Sequence, residues 1–223
     1  VAGRLVSIIC GLVAMTGFSV FSYYLTKSRT GLLVGGLAYI LSPFFLLYDR
    51  LAIYEALFVA ITVWTLFLTY LFSKEWRLDI SLLLGTAIGA GLLTKSYATF
   101  FLLLLPATLL LADWGKVKIK QTWKWLAFIA VIVLQAKVYE NIMRLSEFRH
   151  YIGQKNLSFI YSYSEFFADP FRSFYGNMVG LGSWLLAYLT IPFAILILVG
   201  WSWYLKKSFK SALFFGVYCV VPF

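Results

Sequence analysis

Apolar runs broken by short charged segments set the character of this chain. The first run covers about residues 5–25 and closes at Lys27 and Arg29, and the second covers about 32–48 and ends at Asp49-Arg50. The third covers about 52–72 and closes at Lys74, Glu75 and Arg77. Residues 82–93 and 97–112 form a tight pair of shorter runs with Lys95 at their turn. A basic loop over 113–124 follows, carrying Lys116, Lys118, Lys120 and Lys124. A bilayer core of about 30 Å needs about 20 apolar residues per helix, so the runs predict membrane spans.

The sixth span is the weakest, because its uninterrupted apolar stretch is only 126–134. Trp123 and Trp125 are expected to anchor its start at the interface, and Lys137 to snorkel toward its far end. Lys137, Glu140 and Arg144, spaced by three and four, predict a helix continuing into water with paired charges. Residues 141–176 are polar enough to form a loop outside the membrane. Residues 178–204 predict a seventh span, closed by Lys206, Lys207 and Lys210, and an eighth begins at Ala212. The expected fold is all-α: a polytopic integral membrane protein of about seven or eight transmembrane helices, one transmembrane domain over 1–223. Pro43, Pro106 and Pro192 fall inside spans, where neighbours must satisfy the freed carbonyls. Gly85, Gly89 and Gly91 give the fourth span a small face for close helix packing.

Composition agrees. The chain is 62% hydrophobic and 13% charged, whereas soluble domains carry about 25% charge. A net charge of +10 raises nucleic acid as a partner. The cations sit in clusters between apolar runs rather than along one polar face, which excludes that reading and points to membrane lipid. Cys10 and Cys219 lie in apolar runs and read as embedded thiols. His150 is the only histidine, so a multi-histidine metal site is excluded. With no initiator Met and an apolar final residue, both ends are expected to be cut.

Alternating the spans places the loops at 26–31, 73–81, 113–124 and 205–211 on one side. That side holds eleven basic residues and three acidic ones; the other holds eight and six. The basic side is cytoplasmic by the positive-inside rule. Arg4, Asp49, Arg50, Glu55 and Lys95 then meet at the opposite, periplasmic or extracellular face. Charges embedded at helix ends cost free energy, so both signs gathered at one depth predict a polar site there.

Those residues carry a resemblance. Gly3-Arg4-Leu5-Val6-Ser7 opening one span and Leu41-Ser42-Pro43 ending the next resemble the Arg-Leu-Pro-Ser and Ser-Pro landmarks of polyprenyl-phosphate-sugar glycosyltransferases. This GT-C-type family includes protein O-mannosyltransferases and the aminoarabinose transferases of lipid A. Arg50-Leu51-Ala52-Ile53-Tyr54-Glu55 resembles its Arg-x-Ala-x-x-Asp entry to the following span, with Glu in place of Asp. Gly89-Ala90-Gly91-Leu92-Leu93-Thr94-Lys95 resembles its Gly-Leu-x-x-Leu-Thr-Lys landmark. Coverage is good over about residues 1–112 and loose beyond.

The resemblance implies a multi-helix core that moves a sugar from a polyprenyl- or dolichyl-phosphate donor to a protein, lipid or glycan hydroxyl on the non-cytoplasmic face. A carboxylate takes the acceptor proton, and cations at the membrane surface stabilise the leaving lipid phosphate. Lys95 is the first candidate for the donor phosphate, with Arg50 and Arg4 behind it and Asp49 in support. Glu55 is the candidate catalytic carboxylate, orienting the acceptor, a cation or a bound divalent metal. The family's principal acid is expected in a loop preceding residue 1. No cofactor beyond the lipid-linked donor is certain. The expected location is a bacterial or archaeal plasma membrane.

In the 141–176 loop, aromatics such as Tyr151, Phe159, Tyr161 and Phe167 form an interfacial belt or a sugar-stacking surface, and Glu165, Asp169 and Arg172 are acceptor candidates. Asn156-Leu157-Ser158 matches a glycosylation sequon. Two other classes compete: a secondary transporter or flippase, and a non-catalytic assembly subunit. Transporters place ionisable groups near the midplane within inverted repeats. Here the charges lie at span ends and no repeat is visible.

Overall fold

The computed structural model describes residues 2–112, 119–148, 150, 151, 154, 162–169 and 171–220. The chain is an all-α membrane protein. Helices are the expected answer, since lipid offers no partner to an unpaired backbone group. Among the described residues, 3–26, 55–74 and 121–142 are helical, apolar and long enough to cross a bilayer, and three shorter apolar helices accompany them.

Helix α1 (Ala2–Thr26) leads to α2 (Arg29–Leu41), whose N-cap Ser28 accepts a hydrogen bond from the Thr30 amide. The second expected span does not run unbroken. Pro43 holds Ser42 in an extended conformation (ψ 119°), which ends α2, and the chain restarts with proline in the first turn of α3 (Pro43–Tyr48). At 13 residues, α2 is about 20 Å long, short of a full crossing by itself.

After a loop over 49–54, α4 (Glu55–Lys74) and α5 (Leu78–Thr94) run antiparallel. The fifth expected span is irregular: a 3-10 turn (Ser96–Ala98), α6 (Thr99–Leu103) and a 3-10 segment (Leu105–Leu111) replace a continuous helix. Pro106 breaks the hydrogen-bond ladder there. Tyr218 Oη donates to the Leu104 carbonyl at 3.0 Å, which also accepts from the Ala107 amide, and so ties the last helix to this irregular segment.

The sixth span starts earlier than expected. Helix α7 (Ile119–Ile142) is 24 residues long: it continues past Lys137 as the charge spacing predicts, and takes Lys120 and Lys124, expected in the basic loop, into its first turns. Residues 113–118 lie outside the described residues. Trp125 is buried rather than anchoring at the interface, and its Nε1 donates to Thr108 at 3.1 Å. Trp123 is exposed. The length of α7 comes from packing on α5. A Cβ on Gly85 would come 3.1 Å from both the Gln135 side chain and the Ile132 carbonyl, and one on Gly89 would come 2.8 Å from the Tyr139 ring. The two glycines therefore let the backbones approach, and Gln135 Nε2 donates across to Thr86 at 2.6 Å. Lys137 pairs with Glu140 on the same helix, as their spacing requires.

Beyond the 3-10 turn Met143–Leu145 come α8 (Tyr163–Ala168), α9 (Arg172–Lys207) and α10 (Phe209–Val220). Helix α9 begins earlier than expected and breaks at Thr190, whose φ of 61° is strained for a β-branched residue, two positions before Pro192. Phe159, Tyr161 and the Asn156 sequon lie outside the described residues.

One core joins α4, α5 and α7 around Phe72, Leu84, Ile88, Leu105 and Ile132. A second joins α1, α2 and α4 around Cys10, Ala14, Tyr39 and Ala60. Outward faces are apolar too: Leu33 and Leu37 of α2 and Leu196, Leu198 and Val199 of α9 are exposed. Water would not tolerate so much open aliphatic surface; lipid does.

Candidate functional site

Helix alternation brings the start of α1, the 49–54 loop, the start of α4 and the end of α5 to one end of the bundle. The contacts agree. Ser7 Oγ donates to the Ile53 carbonyl at 3.3 Å, and a Cβ on Gly3 would lie 3.1 Å from Ala52 Cβ.

At this end Lys95 Nζ meets Glu55 Oε1 at 3.1 Å, joining residues 40 positions apart. Both side chains are about three-quarters buried, at 25% and 27% exposure. Glu55 occupies the first turn of α4, and Lys95 caps the end of α5 with its amide bonded to the Gly91 carbonyl. Each charge thus sits at the helix end whose dipole favours it, the anion at an N-terminus and the cation at a C-terminus. The ammonium also lies over two aromatic faces, 5.1 Å from the Tyr54 ring centre and 5.7 Å from that of Phe58. Such rings stabilise a partly desolvated cation without neutralising it.

Phe58 continues into a cavity of about 650 Å³. Thr62 and Leu66 of α4 line it on one side, Tyr97, Phe100 and Phe101 on another, and Gly176, Gly180 and Trp184 of α9 close it. Its walls are overwhelmingly apolar. Phe58 is shared, its ring lying under the Lys95 ammonium and lining the cavity, so the ion pair stands beside an apolar chamber.

The five charges read from the sequence separate here. Glu55 and Lys95 pair. Asp49 turns to Tyr39, whose Oη donates to Asp49 Oδ2 at 2.8 Å. Burial pushes the Asp49 carboxyl above the ordinary carboxylate range, and the Tyr39 hydrogen bond partly offsets this. Arg4 and Arg50 are exposed and make no ion pair among the described residues. Arg50 instead lines a groove of about 170 Å³ with Asp49, Tyr39, Ile8 and Leu12.

Sequence reasoning missed Tyr39, Tyr54 and Phe58, and the wall supplied by α9. Phe58 and Thr62 fall three and seven positions after Glu55 on one face of a helix, a signal that was available. Nothing in the pattern marked α9 as their partner. Among the described residues no three His, Cys, Asp or Glu side chains converge on one point.

The fold and this end of the bundle define a class: an integral membrane protein with a largely buried ion pair beside an apolar chamber. The chain belongs to the dolichyl-phosphate-mannose-protein mannosyltransferase family, which matches residues 1–139. That family is one of glycosyltransferases using a polyprenyl-phosphate sugar donor, so glycosyl transfer is the chemistry of the family to which this chain belongs. No curated protein and no solved structure matches the chain.

Proposed function

We propose that this protein transfers a sugar from a polyprenyl-phosphate donor to a hydroxyl of a protein acceptor at the non-cytoplasmic membrane face, with Lys95 contacting the donor phosphate. One observation carries the reading: Lys95 is held between a carboxylate and two rings, one of which, Phe58, also lines the apolar chamber. A lipid phosphate has the same two-part chemistry. Its anion suits Lys95, and the first isoprene units suit the space between Phe58, Tyr97 and Trp184.

In the transfer, the acceptor oxygen bonds to the anomeric carbon while the bond from that carbon to the phosphate oxygen breaks, and a carboxylate base takes the hydroxyl proton. Negative charge grows on the departing phosphate, where a fixed ammonium stabilises it. Glu55 holds Lys95 in place before the donor arrives. Once the phosphate shares the ammonium, Glu55 is free to orient the acceptor hydroxyl. Arg50, exposed at the same level, is a second contact for the phosphate, and Arg4 a third. Asp49 supports them from below.

The test is Lys95→Ala in the full-length protein, assayed for transfer from a polyprenyl-phosphate sugar. Transfer is expected to fall at least about a hundredfold, the order seen when one charge-stabilising donor is removed, with unchanged amounts in the membrane. Unchanged transfer would remove Lys95 from the site. No transfer by the unaltered protein would favour a non-catalytic subunit.

A further inference from the structure

The 49–54 loop delivers Arg50 and Glu55 to this end of the bundle, yet its own hydrogen bonding is sparse. Its first amides bond back to α3, Asp49 N to Phe45 O at 2.9 Å and Leu51 N to Tyr48 O at 3.2 Å. At its far end Tyr54 caps α4 without any side-chain hydrogen bond. The position of Arg50, and the approach of the loop to Glu55 at the start of α4, therefore depend on what holds the loop against the bundle. Ser7 contributes one bond, to the Ile53 carbonyl.

Asp49 supplies a second hold, at the start of the loop. Its carboxylate is half-buried and turned inward, accepting from the Tyr39 hydroxyl. Tyr39 is itself fixed: it is 5% exposed and stacks on Phe45 at 4.3 Å with the planes 12° apart. On the third side lies Gly11 of α1, where any Cβ would fall on the space the Asp49 carboxylate occupies. So α1 leaves a notch, α2 provides a donor and the end of α3 supplies the acceptor. Among the described residues no cation pairs with Asp49.

We infer that the Tyr39–Asp49 hydrogen bond, seated on Gly11, is a latch that positions the 49–54 loop and thereby sets the placement of Arg50, and the approach of the loop to Glu55, for donor binding. This rests on the proposed transfer from a lipid-linked donor. Asp49 is a positioning residue; it acts through the loop and touches no reacting atom. A hydrogen bond to a half-buried carboxylate is strong enough to hold one loop conformation, and misplacing a binding group weakens the complex it makes.

Two measurements on the full-length protein in membranes test it. The first is donor kinetics. Asp49→Ala and Tyr39→Phe are expected to raise the KM for the polyprenyl-phosphate sugar about tenfold, with kcat within about twofold. Asp49→Asn, which keeps an oxygen facing Tyr39, should restore KM to within about twofold of the parent. A purely structural role would lower the amount of folded protein and leave KM alone. The second needs no activity: modification of Cys10, buried in the same cluster as Tyr39, by N-ethylmaleimide, read by mass spectrometry. Opening the latch should speed it about tenfold, as expected of a local unfolding event made easier by one lost bond. Tyr39→Phe removes a single oxygen and keeps the ring, so it decides where Asp49→Ala does not fold. An active parent whose variants keep the same donor KM overturns the latch while leaving the transferase reading intact. An inactive parent overturns that reading, and the Cys10 rate then decides the latch alone: unchanged modification overturns it.

Discussion

The two ends of the bundle both carry ion pairs, and they are built in opposite ways. At one end Lys95 and Glu55 join two helices across 40 residues, three-quarters buried, with Tyr54 and Phe58 of the other helix beneath the ammonium. At the other, Arg77 pairs with Glu75 at 3.3 Å and Asp79 at 2.6 Å, all within five residues and all more than half exposed. The lysines there rest on rings of their own helix one turn away: Lys27 over Tyr24, Lys74 over Tyr70, Lys124 over Phe128 and Lys207 over Trp203. Local, solvated contacts of that kind mark an interface and little else. A long-range, desolvated pair is costly to assemble, and a chain retains one where charge is used.

Breaking the buried pair should have the largest effect. Glu55→Gln keeps the shape and removes the charge that holds Lys95, and transfer from the lipid-linked donor is expected to fall about a hundredfold in kcat/KM. Glu55→Asp, which is the residue the family pattern carries here, should retain most activity because the lysine chain is long enough to follow. An equal loss from Asp79→Asn at the opposite end would erase the distinction between the two ends. Next in size is the chamber. A Cβ on Gly180 meets nothing within 4 Å, so Gly180→Leu fills the chamber without a clash. It should raise the donor KM about tenfold for long-chain polyprenyl donors, and much less for a short-chain analogue, in steady-state assays.

Much of this contrast was legible in the sequence, and the reason is physical. Charges at helix ends are visible as punctuation in apolar runs, so Glu55 and Lys95 stood out and alternation brought them to one end. Register along a membrane helix is less visible. When all faces are apolar, periodicity does not separate a face that meets lipid from one that meets protein, so Phe58, Tyr54 and the α9 wall went unnoticed. The breaks at Ser42 and around Leu105 follow from Pro43 and Pro106, which the sequence displayed; that the second and fifth spans break there, rather than kink, depended on packing. The continuation of α7 past Gln135 and Lys137 was legible from the spacing of Lys137 and Glu140, whereas its start at Ile119 was not, because Lys120 and Lys124 read as part of a basic loop.

A double-substitution cycle gives a third comparison. Removing Lys95 or Glu55 alone leaves a partner three-quarters buried and uncompensated. The coupling between Lys95→Met and Glu55→Gln in thermal or denaturant unfolding is expected at about 1–2 kcal/mol, between that of exposed and fully buried pairs. Independence of the two substitutions would mean that the pair is held by its aromatic surroundings alone.

The smallest effect is expected at Asp79, which lies before the apolar stretch of its helix. The Arg77 hydrogen bond holds its carboxyl below the usual carboxylate range, with the amide of Ile80 adding to this and partial desolvation opposing it. A carboxyl depressed in the folded state adds stability above its unfolded pKa, and that stability is lost as pH falls through the folded value. The difference in melting temperature between the parent and Asp79→Asn should therefore be small near neutral pH and vanish in acid. High salt should erase it too, since an exposed pair is screened. The Glu55→Gln difference should survive more of the same salt, because a pair three-quarters buried is screened less than the exposed Asp79. Equal salt sensitivity at both ends would show that the Lys95 site is open to solvent, and would remove the physical ground for assigning the donor phosphate to it.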